Sequence, residues 1–312
     1  MNTIEKASHI LRAGGLVGMP TETVYGLAAD AANPGALQRI FAVKERPLNH
    51  PLILHIADIN KIHSWVSDLP RVAVQLATAF WPGPMTLILP KANRVLDLVT
   101  GGQSTVGIRI PSHPVAQALL KHFGGAVAAP SANKYGRISP TRARDVQDEL
   151  GDAVDYILKG GSCEVGLEST IIDVSSDSVS ILRPGMITGD QIEAVLGYAL
   201  SKPKDNKPRV SGSAASHYAP LTPTRMVESK ELNTFLEKTN ATVAVLWHET
   251  KPIEAKNIKS IPMSTDPMQY AHDLYHVLRK LDRKQFQCIL VEAAPHGTAW
   301  DAIRDRLMRA SQ

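Results

Sequence analysis

Two cysteines in 312 residues, Cys163 and Cys288, are too few for a disulfide framework or a paired-cysteine zinc site. Both are expected to be ordinary buried thiols. Aromatic residues make up 5% of the chain, which leaves little for the stacking platforms that grip single-stranded nucleic acid. No apolar run nears the ~18 residues that a membrane span needs, and Met1–Gly15 lacks the unbroken apolar centre of a secretion signal, so a cytoplasmic protein without membrane contact is expected. The commonest chemical signatures are missing too. There is no Walker phosphate loop, no Gly-x-Gly-x-x-Gly opening a helix and no Gly-x-Ser-x-Gly nucleophile turn.

An apolar fraction of 44% is ample for packed cores, and the length suits two domains. Residues 1–200 carry 17 Lys and Arg against 18 Asp and Glu, whereas residues 201–312 carry 17 against 12, so the formal charge of +4 belongs to the second part. Nineteen of the 21 glycines lie at or before Gly197. Asn2 with Glu5 reads as a helix cap and its reciprocal partner, and Asn33-Pro34 as the opening of a second helix. Apolar strands follow at 16–19, 24–29, 52–56, 85–89, 106–110, 126–129 and 156–158, separated by helices near 70–80, 114–123 and 141–150. Residues 169–174 and 179–182 form a hairpin pattern, and a helix is expected over 190–200. The arrangement predicts a mixed α/β sheet. Residues 202–209 are charged and broken by proline, which makes them a linker start. The expected organisation is therefore a first domain over 1–201, a linker over 202–223 and a small three-layer α/β domain over 224–312, with helices near 230–238, 267–281 and 299–309 and strands at 242–246 and 288–291.

Polar groups gather where strands end, the usual ligand edge of such sheets. Pro20-Thr-Glu-Thr23 leaves the first strand, and its hydroxyls suit a small polar ligand or a plain turn. Lys44-x-Arg46 follows the second helix, with His50 and His55 behind it. Two cations one residue apart fit phosphate oxygens, but they also fit a solvated helix end. Arg109 interrupts the apolar strand Val106–Ile110. Its permanent charge requires an anionic partner, either a protein carboxylate or one on a ligand. Ala129-Pro-Ser131-Ala-Asn133, Ser139-Pro-Thr141, Gly166–Thr170 and Arg183-Pro-Gly185 complete the series.

Taken in order, PTETVYGL (20–27), KERPLNHPL (44–52), WPGPMTLIL (81–89), TVGIRIP (105–111), APSAN (129–133), ISPT (138–141), GLESTIID (166–173) and LRPG (182–185) resemble the YrdC-type domain of threonylcarbamoyl-AMP synthases. SGSAASHYAP (211–220) resembles the linker of the two-domain form, which carries a smaller Rossmann-like domain. The resemblance implies a YrdC-like twisted mixed sheet and formation of threonylcarbamoyl-adenylate and pyrophosphate from L-threonine, bicarbonate or CO2, and ATP. The threonine contacts it implies are Thr23, His55, Arg109, the backbone at Ala129, and Ser169. Its ATP contacts are Lys44, Arg46, His50, Thr105, Ser131, Asn133, Ser139, Arg183 and Tyr218, with Lys44 and Arg46 also opposing charge on the triphosphate. It further implies Mg2+ riding on the phosphates with no dedicated metal site. Downstream partners would be tRNA threonylcarbamoyl-transfer proteins, with direct tRNA binding weak or absent. The competing reading is an RNA-binding module of the same fold. The charge of −1 over residues 1–200 and the scarcity of aromatics oppose it.

Overall fold

A computed structural model describes residues 2–212 and 217–312, so part of the linker block, residues 213–216, lies outside the described residues. The chain divides into two compact units: residues 1–135 with 139–213, and residues 136–138 with 214–312.

The first unit is built on a nine-stranded mixed sheet in the order β7-β1-β2-β6-β3-β5-β4-β8-β9. Its strands are β1 (Val17–Met19), β2 (Gly26–Asp30), β3 (Ile53–His55), β4 (Met85–Pro90), β5 (Thr105–Arg109), β6 (Val127–Ala128), β7 (Tyr156–Ile157), β8 (Thr170–Asp173) and β9 (Ser180–Arg183). The helices are α1 (Thr3–Arg12), α2 (Pro34–Lys44), α3 (Arg71–Phe80), α4 (Asp97–Thr100), α5 (Pro114–Phe123), α6 (Ala143–Leu150) and α7 (Gly189–Leu196). Asn2 and Glu5 form the expected capping box on α1, and Asn33 caps α2 by accepting the amide of Ala36. β8 and β9 form the expected antiparallel hairpin. Helix α7 stops earlier than the sequence suggests, because Gly197 takes a left-handed conformation (φ 79°) and closes the helix with its amide on Glu193.

Side chains alternate across the strands, and that period of two sorts the sheet into two faces. Leu27, Leu54, Leu87, Ile108 and Ile172 join the main core with α2 residues such as Leu37 and Ile40. On the opposite face, Val17, Met19, Ala28 and Val127 pack with Leu11 of α1 and Leu119 of α5. Farther along that opposite face, Ile88 and Ile171 pack against Val210, so the start of the linker lies on the sheet.

The second unit has a four-stranded parallel sheet, ordered β10-β13-β11-β12. It is formed by β10 (Thr224–Val227), β11 (Val243–Trp247), β12 (Ile258–Pro262) and β13 (Cys288–Glu292), with α8 (Ser229–Lys238), α9 (Pro267–Asp282) and α10 (Asp301–Ala310). Strands β10 and β12 escape the periodicity reading. Cys163 is buried as expected, whereas Cys288, at the start of β13, is only half-buried.

Candidate functional site

The middle strands place polar residues at alternate positions, on the face opposite the main core. In parallel β3 and β5, His55 sits in register with Arg109, while their neighbours Leu54 and Ile108 point into the core. Thr86 on β4 lies between core residues Met85 and Leu87, and its hydroxyl is 2.7 Å from that of Ser169, the residue before β8.

The turn after β1 closes around this group. Thr21 Oγ accepts the amides of Thr23 and Val24, at 3.2 Å each, and donates to the Val24 carbonyl at 2.6 Å. So fixed, Thr23 Oγ accepts Arg109 Nη1 at 2.8 Å, while Arg109 Nε reaches the Gly83 carbonyl at 3.3 Å. Arg109 Nη2 lies 2.7 Å from the Glu22 carboxylate, so the anionic partner that the sequence requires is a protein carboxylate in this structure. Burial, and then the Arg109 charge, hold the His55 imidazole down at about 3, so this ring is neutral at ordinary pH.

Arg183, ending β9, ties the hairpin to the same point. Its Nε and Nη2 donate to the Ser169 carbonyl at 3.2 and 2.9 Å, Nη2 also reaches Ser169 Oγ at 3.2 Å, and Nη1 donates to the Ser211 carbonyl at 2.9 Å. Two residues on, only glycine fits: a Cβ on Gly185 would stand 2.3 Å from the Thr170 nitrogen. Thr23 and Arg109 thus form one hydrogen-bonded pair, with His55 in register beside Arg109, and Ser169 and Arg183 form a second.

A second group gathers at the end of α2. Glu45 adopts a left-handed conformation (φ 53°), turning the chain so that Lys44 points inward and Arg46 follows it. Lys44 is 1% exposed, and its ammonium donates to the carbonyls of Ser131, at 2.6 Å, and Asn133. Its pKa falls well below the usual lysine range, through burial first and then the neighbouring Arg46 charge. A solvated helix end does not describe this lysine; its ammonium holds the 131–133 loop in place. Arg46 Nη2 donates to the Pro51 carbonyl at 2.9 Å and lies 3.5 Å from Ser211 Oγ. The His50 ring meets Tyr135 edge-on at 5.2 Å, and its pKa is lowered by burial and then by Arg46 and Arg209.

Ser211 thus joins the two groups, through its carbonyl to Arg183 and its hydroxyl to Arg46. Thr105 is half-buried at the start of β5, the Ala129 amide bonds the Ile53 carbonyl at 3.0 Å, and Ser139 Oγ donates to Glu168 at 2.5 Å. Tyr218 belongs to the second unit. There it is buried, stacked at 6.0 Å on Tyr275 with the Arg306 guanidinium 5.0 Å from its ring. Sequence reasoning passes over four residues of the site: Glu22, Thr86, Glu168 and Ser211. Glu22 lies inside the PTET block, but nothing local shows that its carboxylate faces Arg109.

A mixed α/β sheet carrying basic and hydroxyl side chains on one face, followed by a small parallel-sheet unit, defines the class. A family profile of the Sua5/YciO/YrdC type, described as "Telomere recombination", matches residues 9–185, and one described as "Threonylcarbamoyl-AMP synthase, C-terminal domain" matches residues 187–312. The chain belongs to the two-domain family of threonylcarbamoyl-AMP synthases. It is 39% identical to the enzyme of that name from Bacillus subtilis (strain 168), over 99% of this chain and 92% of the relative. The crystal structure of P. abyssi Sua5 complexed with L-threonine is similar with a TM-score of 0.89 and 34% identity, covering 99% of this chain and 94% of that one. T. kodakarensis HypF, at 20% identity and a TM-score of 0.52 over 59% of this chain and 24% of that one, shares the fold alone.

Proposed function

We propose that the chain makes threonylcarbamoyl-adenylate from L-threonine, bicarbonate or CO2, and ATP, releasing pyrophosphate, and so feeds the threonylcarbamoyl modification of tRNA. Membership of the synthase family over the full length of the chain carries this reading. The site supports it chemically. Arg109, Thr23, His55 and Ser169 offer charge and hydroxyls for an amino acid, while Arg46 and the Ser131–Asn133 loop held by Lys44 offer donors for a nucleotide. Threonine, CO2 and ATP supply every reacting atom, so no protein nucleophile is needed. The carboxylated threonine nitrogen attacks the α-phosphorus through a carbamate oxygen, and pyrophosphate leaves. The protein contributes position and charge. Mg2+ enters on the ATP phosphates, ligated by their oxygens. No described helix is long and apolar enough to cross a membrane. The proposed setting is the cytoplasm, beside the proteins that carry threonylcarbamoyl to tRNA.

The test is pyrophosphate release from the full chain with ATP, Mg2+ and bicarbonate. Release that depends on threonine and falls at least about 10-fold in Arg46→Ala is expected. Release without threonine dependence overturns the reading.

A further inference from the structure

Glu22 takes no part in the threonine and ATP contacts described above, yet it is the most unusual group in the site. Its side chain is 3% exposed, 2.7 Å from Arg109 Nη2, and neither carboxylate oxygen has a hydrogen-bond donor from the protein. Nη2 itself is not aligned to donate to it. The other ionisable groups nearby are His55 across Arg109 and the buried thiol of Cys163, and neither supplies a donor. A buried carboxylate normally collects two or three N–H groups, and one without them is costly unless something else provides them.

An α-amino acid is a zwitterion, with its carboxylate and its ammonium on the same carbon. Glu22 and Arg109 form its charge complement at matching scale: a guanidinium for the carboxylate and, 2.7 Å away, an oxygen pair short of donors for an ammonium that carries three. We propose that Glu22 is the ammonium-recognition residue of the threonine site, and that the Glu22–Arg109 pair selects an α-amino acid over the same acid without its amino group. The inference rests on the threonine reading above and assigns that site a specificity determinant. On binding, the ammonium takes the free lone pairs of Glu22 while the substrate carboxylate shares Arg109, so both buried charges become better satisfied than in the empty protein.

Titration calorimetry on the full chain tests this, with L-threonine and with (R)-3-hydroxybutyrate, which has hydrogen in place of the ammonium. The wild-type chain is expected to prefer threonine by about 10- to 100-fold, the range of a charge-assisted hydrogen bond. In Glu22→Gln, similar in shape but uncharged, the preference should collapse to within a few-fold, with (R)-3-hydroxybutyrate bound no more weakly than before. A Glu22 that served only as the structural partner of Arg109 would weaken both ligands together and leave their ratio unchanged, and that result overturns the proposal. So does a wild-type chain that binds the two alike. Should Glu22→Gln fail to fold, Glu22→Asp decides, because withdrawing the charge by one methylene must reduce the ratio. Absence of threonine-dependent pyrophosphate release alongside an intact preference would remove the synthase reading and leave Glu22 as assigned.

Discussion

Two buried glutamates, one in each unit, have opposite surroundings. Glu292 ends β13 and accepts the amides of His248, Glu249 and Thr250 at 2.7, 3.0 and 2.9 Å, with His248 Nδ1 also 2.7 Å away. Burial raises its pKa, but the amides of Glu249 and His248, with other hydrogen bonds, outweigh that and hold it at about 2. Glu22 is equally buried and has a guanidinium but no donor. Both charges are tolerated, by different means. A saturated carboxylate pins three consecutive amides and acts as a structural joint. A carboxylate left short of donors keeps its binding capacity, the property on which the Glu22 proposal rests.

The largest break in this comparison comes from removing the cation. Arg109→Ala leaves Glu22 buried with neither donor nor counter-charge. It should cost about 3–5 kcal/mol in denaturant unfolding and lower threonine-dependent pyrophosphate release by about 100-fold or more. Adding Glu22→Gln should recover much of the stability and none of the turnover, which separates the structural debt from the binding role. The matching change in the second unit is smaller and purely structural. Glu292→Gln should lose about 1–3 kcal/mol with unchanged turnover per folded molecule. The sign with pH is definite: the folded pKa of about 2 lies below the ordinary 4.5, so the stability contributed is complete above about pH 4.5 and fades as pH falls toward 2. Acid unfolding monitored by circular dichroism should lose that dependence in Glu292→Gln.

Arg109 announces itself in the sequence, because an arginine inside Val106–Ile110 violates an apolar strand. Its partner does not, since Glu22 sits in a turn without periodicity and meets Arg109 only through the sheet order that sets β1 and β2 apart from β5. The burial of Lys44 escapes the sequence for a related reason. Basic residues suit a helix end, and only the distant 131–133 loop, which takes the ammonium on its carbonyls, converts that end into a buried anchor. The nine-stranded sheet was largely visible because its strands are short apolar runs between glycine and proline. Strand β12 was not: Ile258–Pro262 is an edge strand carrying Lys259 and Ser260, and edge strands are kept polar, which erases the signal. Helix α4 spans four residues, too few to show a period.

The smallest expected effect concerns histidine and sharpens the same contrast. His55 faces the Arg109 cation, whereas His248 faces the Glu292 carboxylate. With its folded pKa near 3, below the ordinary 6.5, His55 resists the proton that the unfolded chain accepts. Its presence therefore costs no stability above about pH 6.5 and an increasing amount as pH falls from there toward 3. Across pH 5–8 its ring resonances should not move in an NMR titration, and no ionisation of His55 should enter the pH dependence of turnover. In Arg109→Ala the midpoint should rise while remaining below 6.5, because burial is the larger cause and remains. A His55 that titrates near 6.5 in the intact protein would mean that its ring is neither buried nor beside the guanidinium, and the site face of the sheet would need to be redrawn.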